Sequence, residues 1–401
     1  MNVLFNTPGY KPAYNIGGPI HSVSAVAERL VQRGHRLWVA ASNSNLTERL
    51  DVDTERWHDV QGVQVRYFRM QDSWTKKLPL DYFRKSNADY RTPDLDSWIE
   101  TCGIKFDVIH SQLPFVYSNR VCSVFAERYR VPYFYHSRGV FDPVRLRNRA
   151  LKKRLALFGW ELQCCRRASA LIALTEYERE SYRKLGLTNR VEVIPNGIEI
   201  PPDDPLEWPL SDFPVPTDDL VVLFLSRLHP TKGADIAIEA FCCARRGRKN
   251  VRLVVAGPDE FEIQKKLADT VSATESAPYV HFAGPVHGET KRALLQRADA
   301  FVLPTESEGF SMAVLEALAN RCAAVVTPGA YFPEIEDSNA GIVCERSVEA
   351  VAQALAALFD DPHRTAEMGE NARKLAAERF DWDNIVTRLE NLYLEYQPVK
   401  A

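Results

Sequence analysis

The sequence lacks the features that mark membrane, disulfide-stabilised and zinc-binding proteins. It has no apolar run near the roughly 18 residues that a membrane span needs. Its first nine residues lack the basic and long apolar stretches of a signal peptide, so they are predicted to form a strand. The eight cysteines are scattered, with two adjacent pairs and no Cys-x-x-Cys. We therefore expect reduced thiols, no zinc site and a cytoplasmic location.

Two nucleotide-binding fingerprints are also missing. There is no Gly-x-Gly-x-x-Gly of the dinucleotide-binding type, and Lys232-Gly233 has the reverse order of a Walker loop. These absences disfavour a nicotinamide dehydrogenase and a P-loop enzyme. With 45% hydrophobic and 26% charged residues among 401, the chain has the composition of an ordinary globular protein, and its length predicts two or three domains.

The net charge of −3 conceals an uneven distribution. Residues 1–200 carry 30 lysines and arginines against 21 aspartates and glutamates, whereas residues 201–401 carry 20 against 32. A basic half favours an anionic partner such as phospholipid headgroups or a lipid pyrophosphate. We expect no nucleic-acid partner, and nothing requires more than a monomer.

Short β-branched runs alternate with helical stretches along the chain. Most runs are continuously apolar, as strands buried on both faces of a parallel sheet are, so the pattern predicts a doubly wound α/β fold. Because thirteen strands exceed one sheet, we divide them between two Rossmann-like domains. The predicted strands are 2–6, 37–42, 63–68, 107–111, 132–136, 170–175 and 191–195, then 221–227, 252–257, 280–284, 300–305, 323–327 and 341–344.

A proline-rich stretch, 195–216, separates the two sets of strands and is predicted to be a linker. We predict domains over 1–200 and 201–380, followed by a C-terminal helix over 381–401 that packs back on the first domain. Ligands of open α/β sheets bind beyond the carboxyl ends of the strands, so we expect the two sheets to face a shared cleft.

Two segments after strands are suited to an anionic ligand. Gly17-Gly18-Pro19 opens a helix, where backbone N–H groups and the helix dipole attract anions, although a structural turn explains the glycines equally well. Arg227 and Lys232 lie on the loop that leaves the first strand of the second half, where two cations can clamp a diphosphate. A solvated basic loop is the alternative.

A third segment combines an anion site with two carboxylates. Gly309, Phe310, Ser311 and Met312 are predicted to form a helix N-terminus whose N–H groups can bind phosphate. Glu308 precedes this helix and Glu316 lies within it, so their carboxylates can accept hydrogen bonds from different hydroxyl groups of one ligand. Glutamates eight residues apart are also common by chance.

The segment from Glu308 to Glu316 resembles the Glu-x7-Glu motif of retaining, family 4 glycosyltransferases with the GT-B fold. The resemblance covers nearly the whole chain. It implies transfer of a hexose-type sugar from a nucleotide diphosphate sugar, most commonly a UDP-sugar, to a glycan or lipid-linked acceptor, with no cofactor. The other matching positions, in family order, are Gly17-Gly18, Pro195-Asn196-Gly197, Arg227–Gly233, Gly284-Pro285-Val286, Ala298-Asp299-Ala300 and Phe380-Asp381-Trp382.

The resemblance implies a donor site in the second domain. Arg227 and Lys232 match the pair that binds the diphosphate, and Glu316 matches the carboxylate on the ribose hydroxyls. Glu308, with the backbone of residues 309–312, matches the element that contacts the donor sugar and its phosphate. Val286 matches a position whose backbone meets the base. We assign Glu308, Arg227 and Lys232 as catalytic, with Glu308 as a positioning group rather than a nucleophile.

The resemblance also implies contributions from the first domain. Gly17 and Gly18 match a loop that closes over the diphosphate. Where the family often has His-Gly, with the histidine on the donor sugar, this chain has Arg138 followed by glycine. Because side chains alternate in an extended segment, we expect His136 and Arg138 to point the same way, so that either reaches the sugar or the acceptor. A structural histidine at position 136 is the alternative.

The sequence offers no convincing metal site. Three Asp-x-Asp motifs occur, but none follows a strand of the donor domain, so we expect solvated surface and metal-independent transfer. They are Asp51-Val52-Asp53, Asp94-Leu95-Asp96 and Asp381-Trp382-Asp383.

Basic residues alternate with apolar ones over 144–167 and again over Trp74–Lys85. A basic amphipathic helix can lie on an anionic bilayer, which predicts peripheral association with the inner face of the membrane and a lipid-linked or polysaccharide-precursor acceptor. A helix packed on its own domain with a charged outer face is the alternative. The basic residues of the first segment are Arg145, Arg147, Arg149, Lys152, Lys153, Arg154, Arg166 and Arg167.

Two other functions remain open on these motifs. A sugar-nucleotide epimerase or hydrolase would bind the same donor and need no acceptor. A non-catalytic protein that binds a nucleotide or glycan would tolerate loss of the charged residues of the donor site. All four of these residues are present, namely Arg227, Lys232, Glu308 and Glu316.

Overall fold

The computed structural model describes residues 1–46, 48–71, 91–143, 146 and 150–397. The chain forms two compact units: unit 1 comprises Met1–Gly197 and Trp382–Ala401, and unit 2 comprises Ile198–Asp381. Several positions from the sequence analysis lie outside the described residues. They are the segment Trp74–Lys85, the residues Arg145, Arg147 and Arg149, and the side chain of Lys152.

Unit 1 contains an eight-stranded sheet and a separate two-stranded one. The strands are β1 Asn2–Thr7, β2 Arg36–Ser42, β3 Ser44–Asn45, β4 Glu48–Arg49, β5 Trp57–Val60, β6 Val63–Phe68, β7 Val108–Gln112, β8 Tyr133–His136, β9 Ala170–Ala173 and β10 Val191–Val193. The large sheet has the order β10-β9-β8-β7-β1-β2-β6-β5. Its neighbours are parallel except β5 and β6. The carboxyl ends of its parallel strands therefore share one edge.

Helices cover the faces of this sheet. They are α1 Gly18–Gln32, α2 Asp94–Thr101, α3 Tyr117–Tyr129, α4 Ala150–Ala156, α5 Leu162–Arg167 and α6 Glu176–Lys184, with a π-helical turn, Leu157–Glu161, between α4 and α5. The C-terminal helix, Trp382–Glu395, belongs to the same unit. It buries Ile385, Leu389 and Leu392 in the core beneath α1, where apolar burial supplies the main stabilisation.

Unit 2 contains one sheet of six parallel strands. The strands are β11 Leu220–Leu225, β12 Val251–Ala256, β13 Val280–Gly284, β14 Ala300–Leu303, β15 Ala323–Val326 and β16 Gly341–Val343, in the order β13-β12-β11-β14-β15-β16. The helices are α7 Ala234–Arg245, α8 Gln264–Ser272, α9 Gly288–Arg297, α10 Met312–Ala319, α11 Glu334–Asp337, α12 Val348–Asp360 and α13 Pro362–Arg379. The proline-rich stretch packs Ile198, Ile200 and Trp208 against this core.

All thirteen predicted strands are present, and the prediction of two doubly wound α/β sheets is confirmed. β3, β4 and β5 were not predicted. The first two are only two residues long, and the four residues of β5 pair antiparallel at the sheet edge without the apolar run of a central strand.

Among the described residues, no helix combines the length and apolar character needed to cross a membrane. The eight cysteines are free thiols. Burial raises the pKa of Cys122, Cys164 and Cys322, so these thiols resist ionisation and are poor nucleophiles.

Candidate functional site

The loops that leave the strands of unit 2 are hydrogen-bonded to one another at the carboxyl edge of the sheet. The Glu306 N–H donates to the Thr231 carbonyl at 2.7 Å, which joins the loops after β14 and β11. The Glu308 N–H donates to the Gly329 carbonyl at 2.8 Å, which joins the loops after β14 and β15. These bonds fix the backbone on which the charged side chains stand.

Two glycines permit this close approach of loops. Gly233 has φ +74, and a Cβ there would lie 2.3 Å from the Pro304 carbonyl oxygen. A Cβ on Gly329 would lie 2.3 Å from the Glu306 carbonyl oxygen. Any other residue would force the loops apart, because both contacts are with backbone atoms.

The most buried charged pair at this edge joins Lys232 to Glu308. Lys232 ends a short 3-10 turn, Pro230–Lys232, after β11, and its Nζ donates to Glu308 Oε1 at 2.5 Å. Each side chain is 9% exposed. Two charges so far from solvent are stable only when they face each other, so each fixes the position of the other.

Arg227 lies on the same loop but is much more open to solvent. Its Nη1 donates to Glu260 Oε2, on the loop after β12, at 2.9 Å. His229 stands between Arg227 and Lys232 in sequence. Burial lowers the pKa of His229, and the two cations lower it further, so its imidazole is neutral at pH 7. The positive charge of this loop therefore comes from Arg227 and Lys232.

Glu316 faces a cation that was not assigned from the sequence. Lys291, on α9, donates from Nζ to Glu316 Oε1 on α10 at 2.7 Å. Both side chains are partly exposed, so the pair borders solvent. The ammonium group holds one carboxylate oxygen of Glu316 in place.

The helix N-terminus predicted over Gly309–Met312 lies at the last two of these residues. α10 begins at Met312, and Ser311 is its N-cap, accepting a hydrogen bond from the Val314 N–H at 3.4 Å. Gly309 and Phe310 therefore lie in the loop before the helix. The Phe310 ring packs on Phe332, with 4.7 Å between ring centroids, so its side chain anchors this loop in the core.

Val286 lies in the loop that joins β13 to α9. The loop is flanked by Gly284 and Gly288, which both have positive φ values, +66 and +53. The Val286 side chain is buried in the core of unit 2, which positions its backbone at the carboxyl edge of the sheet.

In unit 1, Gly17 and Gly18 begin α1. Gly17 is the N-cap residue with φ +98, a conformation that favours glycine. A Cβ at either position would have no neighbour within 4 Å. The N-terminus of α1 therefore has open space beside its first turn.

The expectation that His136 and Arg138 belong to one extended segment is wrong. β8 ends at His136, and Arg138 adopts a left-handed conformation with φ +51. Both side chains are nevertheless buried at the carboxyl end of β8. His136 stacks on His110, with 6.0 Å between the ring centroids. Arg138 donates to Gln112, Ser22 and Asn196.

The Asp-x-Asp motifs do not converge on a metal-binding arrangement. Within the part of the chain that the structure describes, no group of three or more His, Cys, Asp or Glu side chains is placed to hold a metal ion. Asp94 and Asp96 lie in the first turn of α2, and Asp96 accepts from the Tyr117 hydroxyl.

The two parallel-sheet α/β units have the architecture of the GT-B fold, which similar solved structures share. The family model described as Glycosyltransferase Family 4 matches residues 16–200, and the one described as Glycosyl transferases group 1 matches residues 211–375. D-inositol 3-phosphate glycosyltransferase 2 of Catenulispora acidiphila is 30% identical over 304 residues, which are 72% of this chain and 70% of that protein. The chain belongs to glycosyltransferase family 4, as its Glu-x7-Glu motif predicted.

Other similar proteins differ in coverage. Glycogen synthase of Mycobacterium tuberculosis is 31% identical over 206 residues, 51% of this chain and 48% of that enzyme, so the match spans about half of its length. The crystal structure of Anabaena HepE in complex with UDP has a TM-score of 0.71 at 20% identity and covers 98% of this chain and 100% of that one. At this identity the likeness shows the fold.

Glu260 and Lys291 are the charged partners that the sequence reasoning missed. Glu260 lies 33 residues from Arg227, and Lys291 lies 25 residues from Glu316. The only available signal was that Glu260 follows β12 and that Lys291 lies in the helix after β13. Strands that share a sheet edge bring such positions together, but that placement alone does not select one residue from a loop or helix.

Proposed function

We propose that the protein is a retaining hexosyltransferase that uses a nucleotide diphosphate sugar, with a UDP-sugar as the favoured donor. The similar Anabaena structures include complexes with UDP and with UDP-glucose. The acceptor is a hydroxyl group on a glycan or a lipid-linked sugar. These statements go beyond family membership, because relatives of this fold act on different substrates.

The observation that carries the proposal is the buried contact between Lys232 and Glu308. In this proposal Lys232 and Arg227 bind the diphosphate, and Glu308 accepts hydrogen bonds from the donor sugar. Glu316 binds the ribose hydroxyls through the oxygen that Lys291 leaves available. The loop of Gly309–Met312 places backbone N–H groups near the sugar phosphate, and the Val286 backbone meets the base.

The cations stabilise the leaving group during transfer. The bond between the anomeric carbon and the phosphate oxygen breaks, and the acceptor oxygen forms a new bond on the same face of the sugar. A leaving phosphate oxygen takes the acceptor proton. Lys232 and Arg227 face the negative charge that develops on this phosphate, an effect commonly worth about 3 kcal/mol per donor group. No step requires a metal ion, because these side chains supply the positive charge.

Glu308 is better suited to positioning than to nucleophilic attack. Its Oε1 is engaged by the Lys232 ammonium at 2.5 Å, which lowers the electron density available for attack on carbon. A double-displacement reaction through Glu308 is therefore the less favoured route. The anomeric configuration of the product at early times, followed by NMR, distinguishes retention from inversion.

We further propose that unit 1 associates with an anionic membrane surface. Leu155, on α4, and Phe158, in the π-helical turn, are 67% and 69% exposed, which is high for large apolar side chains. Lys153 and Arg154 precede them, and a surface cavity of about 410 Å³ is lined by Lys153, Arg154, Leu157, Phe158 and Lys184 among others. Apolar residues beside cations are suited to a lipid headgroup boundary.

Sedimentation with liposomes tests this association. At low salt, the protein should co-sediment with vesicles containing anionic lipid and remain in solution with purely zwitterionic vesicles. Phe158→Ser should weaken the association, whereas Tyr129→Ser, which removes an exposed aromatic residue on α3, should leave it unchanged. Failure of the wild-type protein to bind anionic vesicles would exclude a membrane-associated role.

Nucleotide binding tests the donor assignment. The melting temperature is measured with UDP, GDP, ADP and TDP, with and without EDTA, because a ligand that binds only the folded state stabilises it. We expect stabilisation by UDP that EDTA does not change and that Lys232→Met removes. No stabilisation by any nucleotide would contradict the proposal. Product analysis with a UDP-sugar alone separates the transferase from an epimerase or hydrolase, which would convert the donor without an acceptor.

A further inference from the structure

Arg138 is a buried cation whose hydrogen-bond partners are all neutral. It follows β8 and is 7% exposed. Its Nε donates to Gln112 Oε1 at 2.8 Å, and its Nη1 donates to Ser22 Oγ at 2.9 Å and Asn196 Oδ1 at 3.0 Å. Burial lowers its pKa to about 10, so the guanidinium remains charged at neutral pH. Among the described residues, its Nη2 donates to no protein acceptor.

No carboxylate forms an ion pair with this guanidinium in the described part of the chain. The buried carboxylate that acts on it through space is Glu178. The oxygens of Glu178 are engaged elsewhere: Oε1 accepts from the Ser137 hydroxyl and the Gly139 N–H, and Oε2 accepts from the Leu174 N–H. Buried arginines are normally paired with an anion, because desolvation of an unpaired charge is costly.

A second buried polar group beside Arg138 also lacks a partner. His136 Nε2 is inaccessible to solvent and makes no hydrogen bond. Burial, Arg138 and His110 all lower the pKa of His136, so the ring is neutral and one of its nitrogens can donate. An unsatisfied buried nitrogen is unfavourable, so the end of β8 holds two polar side chains whose hydrogen-bonding capacity the described residues do not fill.

The backbone around Arg138 is held in a costly conformation. A φ of +51 is unfavourable at a residue with a Cβ, because the Cβ approaches the backbone carbonyl oxygen too closely. Its contact with Ser22 places the guanidinium beside the first turn of α1, next to the open space at Gly17 and Gly18. The Arg138 guanidinium and the N-terminus of α1 both place positive potential at the carboxyl edge of the unit 1 sheet.

We propose that Arg138 binds a carboxylate on the sugar substrate, so that the transferred sugar or the sugar that accepts it is a uronic acid. This inference rests on the proposed transferase function and adds its substrate class. A carboxylate suits the site better than a phosphate dianion, because the single negative charge balances Arg138 while the buried Glu178 would repel a second charge. In this proposal Nη2 of Arg138 donates to a carboxylate oxygen of the sugar.

Calorimetry with matched charged and neutral sugars tests the proposal. The donor arm compares the Kd of UDP-glucuronate with that of UDP-glucose. The acceptor arm compares methyl glucuronoside with methyl glucoside in the presence of UDP. In one of the two arms, the charged ligand should bind the wild-type protein at least about tenfold more tightly. Arg138→Gln should reduce that preference to less than about twofold without changing the Kd of UDP alone.

Two control variants separate the possible outcomes. Arg138→Lys keeps the charge but not the planar fork, so it should retain part of the preference even if Arg138→Gln does not fold. Arg183→Gln removes an exposed arginine of the same unit and should change nothing. Equal affinity for charged and neutral sugars in both arms, or a preference that survives in Arg138→Gln, would overturn the inference. Failure of the wild-type protein to bind UDP would instead contradict the proposed function.

Discussion

The assigned charged side chains at the carboxyl edges of the two sheets differ in whether they form ion pairs. In unit 2, each assigned charged side chain faces an opposite charge: Lys232 faces Glu308, Arg227 faces Glu260, and Glu316 faces Lys291. In unit 1, the one assigned cation, Arg138, donates only to neutral oxygens. A ligand of unit 2 would meet charged side chains that are already paired, whereas a ligand of unit 1 would supply a charge that the protein does not.

This difference predicts where a single substitution has the greatest effect. Removal of one member of a buried pair leaves the other charge without compensation, and the free energy cost is several kcal/mol. Removal of one member of an exposed pair changes little, because water solvates the remaining charge.

Lys232→Met should abolish most of the transferase activity. In the proposed mechanism the substitution removes positive charge from the leaving phosphate, and it leaves Glu308 buried without this cation, so we expect kcat to fall by about 100- to 1,000-fold. Steady-state kinetics with the best UDP-sugar donor measures this loss. Lys265→Met, in the exposed part of α8, serves as the control. A Lys232→Met enzyme that retains more than about a tenth of the wild-type kcat would contradict the assigned role.

The packing of the C-terminal helix on unit 1 can be tested through stability alone. Leu389 is 4% exposed in the core beneath α1, and Leu389→Ala should lower the free energy of unfolding by about 2–5 kcal/mol. Leu394→Ala, on the same helix but 50% exposed, should cost well under about 1 kcal/mol. Hydrogen exchange followed by mass spectrometry should show the loss of protection in unit 1. Equal destabilisation by both substitutions would show that the helix does not pack through Leu389.

Much of this architecture could be predicted from the sequence, because most central strands are largely apolar runs that are followed by helices. β5 was not predicted, because it pairs antiparallel at the sheet edge and is not buried on both faces. The contact between Lys232 and Glu308 was not predictable by spacing, since 76 residues separate them and only the shared sheet edge brings them together. The turn at Arg138 was missed because the glycine that follows it, Gly139 with φ +73, is the expected left-handed residue, and nothing in His-Ser-Arg-Gly marks the arginine as left-handed too.

Substitutions in the ion pair between Lys291 and Glu316 should have an intermediate effect on nucleotide binding. Glu316→Gln should raise the Kd of UDP by about tenfold, because a neutral amide accepts more weakly from ribose hydroxyls. Lys291→Met should raise it by about two- to fourfold, since Glu316 loses the group that orients it but keeps its charge. Calorimetry with 2′-deoxy-UDP checks the cause, because the effect of both substitutions should shrink when a hydroxyl is missing. Lys374→Met, at an exposed position on α13, is the matched control.

The smallest effect on nucleotide binding should come from substitution of Glu260, which forms an exposed pair with Arg227. This substitution should strengthen binding, whereas the substitutions of Glu316 and Lys291 should weaken it. Both side chains are about half exposed, at 55% and 43%, so their interaction is worth at most about 1 kcal/mol. Glu260→Gln frees Arg227 from a competing carboxylate, and the Kd of UDP should therefore fall by about two- to fivefold. The gain should disappear in about 0.5 M salt, because screening weakens interactions between exposed charges. Glu367→Gln, exposed on α13, should leave the Kd unchanged at any salt concentration. Weaker binding by Glu260→Gln would mean that Glu260 orients Arg227 toward the diphosphate, and the ion pairs of unit 2 would then assist the ligand instead of competing with it.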